Sequence, residues 1–156
     1  MDTVRLRAAL TALLLVAGLG STPARGELAP AIQAELTRST YVYIATTRKN
    51  GSLGKAAEIW FLYHNGAVYV ASPPTAWRVR RIKAGRPQAK IAVGKPDGPF
   101  FMATGAVVTE PEMYPILLET YAKKYPDGWP RFEEKFRSGF KDGSRVLIKY
   151  TPTDKQ

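Results

Sequence analysis

The sequence predicts an α+β domain built on a small, closed or half-closed antiparallel barrel of six strands with flanking helices. Three observations point there. Six short segments rich in β-branched and aromatic residues are separated by tight-turn signals. A helical segment, Ala76 to about Ala84, crosses between the third and fourth of them. In a chain of 156 residues, six strands laid out as an open two-layer sheet would leave edges exposed, and closure removes those edges. One domain is expected at this length.

The domain is preceded by a leader. Arg5 and Arg7 form a positive start, Ala8 to Leu19 is a nearly all-apolar run of 12 residues, and Ala24 and Gly26 are small residues spaced for cleavage before Glu27. The run is short of the ~20 residues that cross a bilayer, so no stable membrane anchor is expected. Leu6 separates the two arginines, which excludes a twin-arginine signal. Residues 1–26 therefore read as a cleavable secretory signal peptide and 27–156 as the mature domain, periplasmic or secreted.

Within that domain, Ala29 to Thr37 carries Ile32 and Leu36 at helical spacing. Thr40 to Thr47 reads as the first strand, and Asn50-Gly51 as a hairpin turn. Ala56 to Tyr63 is the second strand, and Asn65-Gly66 turns it into the third, Ala67 to Ala71. Pro73 and Pro74 end the sheet, Thr75 is placed to cap the crossing helix, and Gly85 and Pro87 stop it. Ala89 to Val93 and Phe101 to Val108 are strands four and five, joined through Pro96-Asp97-Gly98-Pro99. Thr109-Glu110-Pro111-Glu112 has the form of a capping box opening a helix that reaches about Lys124. A short helix from Pro130 to Ser138 stops at Gly139, with Phe132 and Phe136 on one face. Asp142-Gly143 then turns the chain into the last strand, Arg145 to Tyr150.

Composition excludes several chemistries. The absence of cysteine removes disulfide scaffolds, thiolate zinc sites and Cys nucleophiles, and a lone histidine, His64, removes multi-His metal sites within one chain. His64 adjoins a tight turn and reads as exposed. No G-x-S-x-G, H-E-x-x-H, P-loop or Rossmann glycine pattern occurs, and Gly94-Lys95 is followed by Pro96 rather than a helix. Glu133 and Glu134 are adjacent in a helix and point to different faces. An enzyme built on this chain would take most of its chemistry from a cofactor.

Charge says where that cofactor would sit. The chain carries 23 basic and 13 acidic residues, net +10. Removing Arg5, Arg7, Arg25 and Asp2 with the leader leaves 20 against 12, net +8. Thr75 to Lys95 alone holds Arg78, Arg80, Arg81, Lys83, Arg86, Lys90 and Lys95 with no acid, so one region meets the anion. Ser72 and Thr75 supply hydroxyls, Arg78 falls on the first turn of the helix, and Arg81 follows three residues on. The helix start itself favours a phosphate through its free N–H groups. Trp77 would either stack on a ring or pack in the core.

The runs YVYIATTRKNG, EIWFLYHNGAVYVAS and TAWRVRRIKAGRPQAKIAVG resemble the pyridoxamine 5′-phosphate oxidase-like, FMN-binding split-barrel superfamily over about Leu28 to Val108. The resemblance implies a six-stranded antiparallel split β-barrel, usually a homodimer, that binds FMN, deazaflavin F420 or, in some branches, haem. Carried onto this chain, it implies phosphate binding by Ser72, Thr75 and Arg78, with Arg81 and Lys83 behind them. Ile59 and Trp60 match the strand along the flavin ring, and Ala45, Thr46 and Thr47 match the first-strand A-T-T near the ring or ribityl chain. The C-terminal Arg and His signature of true pyridoxamine-phosphate oxidases is missing from SRVLIKYTPTDKQ, so vitamin B6 oxidation is not expected. The reading is an FMN-dependent oxidoreductase acting on a small organic substrate. Its alternatives are an F420-dependent reductase and a non-catalytic binder of haem or another anionic cofactor. Nucleic-acid binding suits the charge and the aromatics, but an exported protein rarely meets nucleic acid, so it is not expected.

Overall fold

The structure is a computed structural model describing residues 26–153. The expected signal peptide lies, apart from Gly26, outside the described residues. The elements are α1 (Pro30–Arg38), β1 (Val42–Thr46), β2 (Ala57–Ile59), β3 (Leu62–His64), β4 (Ala67–Ser72), α2 (Trp77–Lys83), β5 (Gln88–Val93), β6 (Phe100–Val108), α3 (Met113–Lys124), α4 (Trp129–Asp142) and β7 (Val146–Pro152). All pairings are antiparallel, in the order β2-β1-β5-β6-β7-β4-β3.

The sheet has seven strands rather than the expected six, because Ala56 to Tyr63 breaks in the middle. Its first part pairs with β1 (Ile44 opposite Ala57) and its second with β4 (Leu62 opposite Tyr69). β2 and β3 are the two ends of the sheet, yet only Trp60 and Phe61 separate them. The ends must therefore meet. The barrel is closed by two residues of chain, not by a ladder, which is what makes it a split barrel.

A break in a buried strand orphans a peptide group, and an unsatisfied buried donor or acceptor is expensive. Here α3 and the residue that caps its C-terminus, Tyr125, supply the partners. Tyr121 Oη donates to the Trp60 carbonyl at 2.8 Å, and the Phe61 N–H donates to Tyr125 Oη at 2.9 Å. Tyr125 Oη in turn donates to the Thr40 carbonyl at 2.8 Å, tying the start of β1 to the same point.

Two cores flank the sheet. Inside the barrel, Val42, Ile44, Phe61, Val70, Val79, Ile91, Phe101 and Ile148 pack together, with Ile32 and Leu36 of α1 over them. Outside, Leu62, Tyr69 and Leu147 meet Leu117, Tyr121, Tyr125 and Trp129 of the C-terminal helices. Strand alternation sends neighbours on β4 and β7 to opposite cores, so both faces of these strands are buried.

Several local expectations are corrected. Thr75 does not cap α2: Ala76 holds the N-cap position and no side chain bonds there. Thr109 to Glu112 is not a capping box, since α3 starts at Met113 without a side-chain cap. Glu110 instead accepts hydrogen bonds from Tyr69 Oη (3.1 Å) and Lys149 Nζ (3.0 Å), an ion pair with the sheet outweighing a local cap. Gly139 lies within α4, where a Cβ would sit 2.5 Å from Arg145 Cγ. The helix stops four residues later at Gly143, in the left-handed conformation with φ 80°.

Lys124, in the last turn of α3, has no carboxylate partner among the described residues. Its Nζ lies 3.3 Å from the Phe61 ring centroid, and burial lowers its pKa from 10.5 to about 8. Between those values the unfolded chain holds the extra proton, so this group adds stability as pH rises through that window. Lys124→Met is expected to be more stable than the parent at pH 7 by roughly 1 kcal/mol, the ring contact and partial exposure limiting the gain. The difference should close by about pH 10.5, which thermal melts of both proteins at several pH values would read.

Candidate functional site

Beside the barrel mouth, β1, β2 and α2 enclose a cleft of about 440 Å³ lined by Ile44, Thr46, Arg48, Lys55, Ala57, Ala76, Trp77, Arg78 and Arg81. Four of these nine residues are cationic and none is acidic. The ion pairs among the described residues all lie elsewhere.

Two of the four cations, Arg78 and Arg81, are placed by traceable contacts. Ser72 ends β4 fully buried, and its Oγ accepts from Arg78 Nη1 at 2.9 Å, the one hydrogen bond this guanidinium makes. Burial holds Arg78 below the ordinary arginine pKa, with no carboxylate to offset the desolvation. A guanidinium remains charged even so, and Ser72 is its one side-chain partner among the described residues. Arg81 Nη1 donates to Thr46 Oγ1 at 2.7 Å and to the Thr46 carbonyl at 3.0 Å. Trp77 is 65% exposed, with Arg80 over its ring at 4.6 Å and Arg81 at 5.5 Å. The open question of Trp77 is thereby decided: it is a surface aromatic at the lip of the cleft, not a core residue.

The structure thus brings Thr46, Trp77, Arg78 and Arg81 together, with Ser72 behind Arg78. It does not bring the other candidates to the cleft wall. Thr47 Oγ1 donates to the Gln88 carbonyl at 2.9 Å. Ile59 packs against the barrel core, and Thr75 and Lys83 are exposed outside the lining. Trp60 turns the opposite way, stacking on Tyr125 with centroids 4.2 Å apart and meeting Phe132 and Phe136 edge-on and stacked. α2 has seven residues, so the cleft owes its positive field to side chains more than to a helix end.

Sequence reasoning missed Arg48, Lys55 and Gly54. The signal was present in two cations flanking a predicted hairpin, but nothing local shows that the hairpin folds against α2. Gly54 matters because a Cβ there would lie 2.6 Å from Arg81 Nη1 and 3.3 Å from the Thr46 carbonyl. Its bare backbone gives the guanidinium room. Gly54→Ala is expected to push the mobile end of Arg81 off Thr46, weakening anion binding about 3- to 10-fold while changing stability by less than about 1 kcal/mol. Comparing anion titrations with thermal melts checks both halves.

A larger cleft of about 780 Å³ lies at the other end of β4 and includes His64, Tyr69, Glu110, Glu112 and Lys149. His64 closes β3 there, half-exposed beside the Asn65-Gly66 turn. No histidine reaches the basic cleft, and no group of ligands among the described residues could hold a metal ion.

The architecture is the split barrel of pyridoxamine 5′-phosphate oxidase-like proteins, here with a basic cleft at its mouth. Among solved structures, the chain is similar to HutZ, the haem storage protein of Vibrio cholerae, at 16% identity and TM-score 0.57, over 81% of this chain and 91% of that one. It is equally similar to a Listeria innocua protein provisionally assigned as a pyridoxamine 5′-phosphate oxidase, at 16% identity and TM-score 0.57, over 81% and 92%. An F420 reductase matches at 21% identity and TM-score 0.51, over 78% and 92%. No protein-family model and no curated protein matches the sequence itself. The resemblance read from the motifs therefore holds for the fold.

Proposed function

We propose that this chain is an exported FMN-binding oxidoreductase acting on a small organic substrate, working as a homodimer. One observation carries the reading. Arg78 is a partly buried guanidinium, bonded to Ser72 and unopposed by any carboxylate, in a cleft that Ile44, Ala57, Ala76 and Trp77 also line. A phosphate satisfies such a group, while Ile44, Ala57, Ala76 and Trp77 suit a planar ring system.

In this reading Arg78, held by Ser72, grips the phosphate, and Arg81, braced on Thr46, completes its neutralisation. Trp77 shields the ring from water on the outer side. FMN, when bound, supplies the electron-transfer chemistry; the side chains bind and orient it. The flavin reading is preferred to haem because the chain's single histidine lines the other cleft. Dimerisation is supported by the outer face of β1, β5 and β6, where Tyr43, Lys90, Phe100 and Met102 point away from the barrel and join neither core.

The test is a titration of the cofactor-free protein with FMN, F420 and haem, followed by absorbance and flavin fluorescence, with light scattering for the dimer. Saturable quenching of FMN at one equivalent per chain is the expected result. A protein that ignores FMN and binds haem, with its intense Soret band, would overturn the reading.

A further inference from the structure

Among the described residues, two buried side-chain polar atoms have no hydrogen-bond partner, Arg86 Nε and Tyr150 Oη. Arg86 is partly exposed and keeps other donors for water. Tyr150 has a single side-chain polar group, and the whole residue is buried in the barrel core. A phenol enclosed in this way costs more than a phenylalanine at the same place unless something pairs with it. Its neighbours fix the direction of the ring. Tyr150 lies opposite Val68 of β4 and Gly105 of β6, and a Cβ at Gly105 would sit 2.7 Å from Tyr150 Cε1 and 2.9 Å from Ile82 Cδ1. The bare backbone of Gly105 therefore seats the ring under α2, against Ile82.

On α2, Arg78 lies four residues before Ile82, on the same face and one turn nearer the helix start. The helix that covers the phenol thus also carries the guanidinium. Arg78 is the one charged side chain that acts on the Tyr150 hydroxyl, working against burial, which pushes the phenol up to about 12. Ser72 takes one N–H of Arg78, and no direct bond joins Arg78 to Tyr150. Neighbouring buried polar groups beyond hydrogen-bond reach of each other are what an internal water pairs. We infer that one such water sits between Tyr150 Oη and the Arg78 guanidinium, accepting from both, and that Tyr150 is thereby a positioning residue for Arg78. The positioning role rests on the reading of Arg78 as the cofactor's phosphate anchor; the water bridge does not. A guanidinium held at two points, on Ser72 and on the water, has less freedom to lose when an anion arrives in the cleft.

Tyr150→Phe removes the hydroxyl and keeps the ring, so the barrel core is preserved. The first readout needs no cofactor: side-chain NMR of the arginines in the cofactor-free protein. Arg78 is expected to give separate, slowly exchanging N–H signals in the parent and averaged ones in Tyr150→Phe, while those of Arg81, held by Thr46, stay the same in both. The second readout is affinity for FMN, with inorganic phosphate titrated in parallel. Tyr150→Phe should weaken binding of either anion about 3- to 10-fold, but by less than about 2-fold in an Arg78→Met background, a coupling that general loosening of the barrel would not produce. Arg78 signals that ignore Tyr150→Phe would overturn the bridge. Equal losses in the two backgrounds, or no loss in either, would overturn the positioning role. Arg78 signals that depend on Tyr150 in a protein that ignores FMN would sink the flavin reading and leave the bridge standing.

Discussion

Tyr125→Phe is expected to destabilise the fold by about 2 kcal/mol, and Tyr121→Phe combined with it by more than about 3 kcal/mol. Phenylalanine keeps the ring, so the stacks on Trp60 and Tyr41 survive and the measurement isolates the hydroxyls. Tyr125 Oη serves two backbone groups, the Phe61 N–H and the Thr40 carbonyl; without it the Phe61 N–H is left buried and unpaired, and the tie to the exposed Thr40 at the start of β1 is lost. Tyr121 Oη serves the other end of the same peptide group, the Trp60 carbonyl. Burial pushes both phenols well above the ordinary tyrosine pKa, so they remain neutral across the usable pH range. Denaturant unfolding of the single and double variants would measure the loss. Unchanged stability in both would mean that the break between β2 and β3 finds its partners elsewhere.

The second large effect is at Arg78. Arg78→Met is expected to weaken FMN binding about 10- to 100-fold, the loss of one charge-assisted contact of roughly 1.5–3 kcal/mol. In the cofactor-free protein the same change should be near neutral, because a partly buried guanidinium without a carboxylate partner is replaced by an apolar side chain of similar reach, which offsets the lost bond to Ser72. This contrast separates a binding role from a structural one. Melting temperatures with and without FMN would show it: the parent gains strongly from the ligand, the variant starts about level and gains little. A variant that melts earlier in both states would assign Arg78 to folding instead.

Much of the fold was legible because it is local. Ile32 and Leu36 announced α1, and both are buried under the barrel. Asn65-Gly66 announced a turn, and both residues have positive φ. The helix between the third and fourth expected strands lies where the sequence placed it. The break at Trp60 was invisible, since AAEIWFLY is a good strand throughout and only curvature of the whole sheet divides it. For the same reason the sequence pattern points Trp60 toward the cofactor: its neighbours in sequence lie in the barrel, while its ring packs outward against α3 and α4. Glu110 and Gly139 were misjudged in a similar way, because Lys149 and Arg145, their partners, are distant or outside the local pattern.

The sequence by itself determined the α+β class, the run of antiparallel strands, the turns and the concentration of positive charge around α2. Such features follow from backbone preference and composition, which act within a few residues. Tertiary structure alone decided that the barrel closes through a two-residue step, that Arg78 is partly buried without gaining a carboxylate, and that Arg48 and Lys55 share its cleft. Each depends on which surfaces meet when the sheet curls, and desolvation and long-range pairing exist only once they have met.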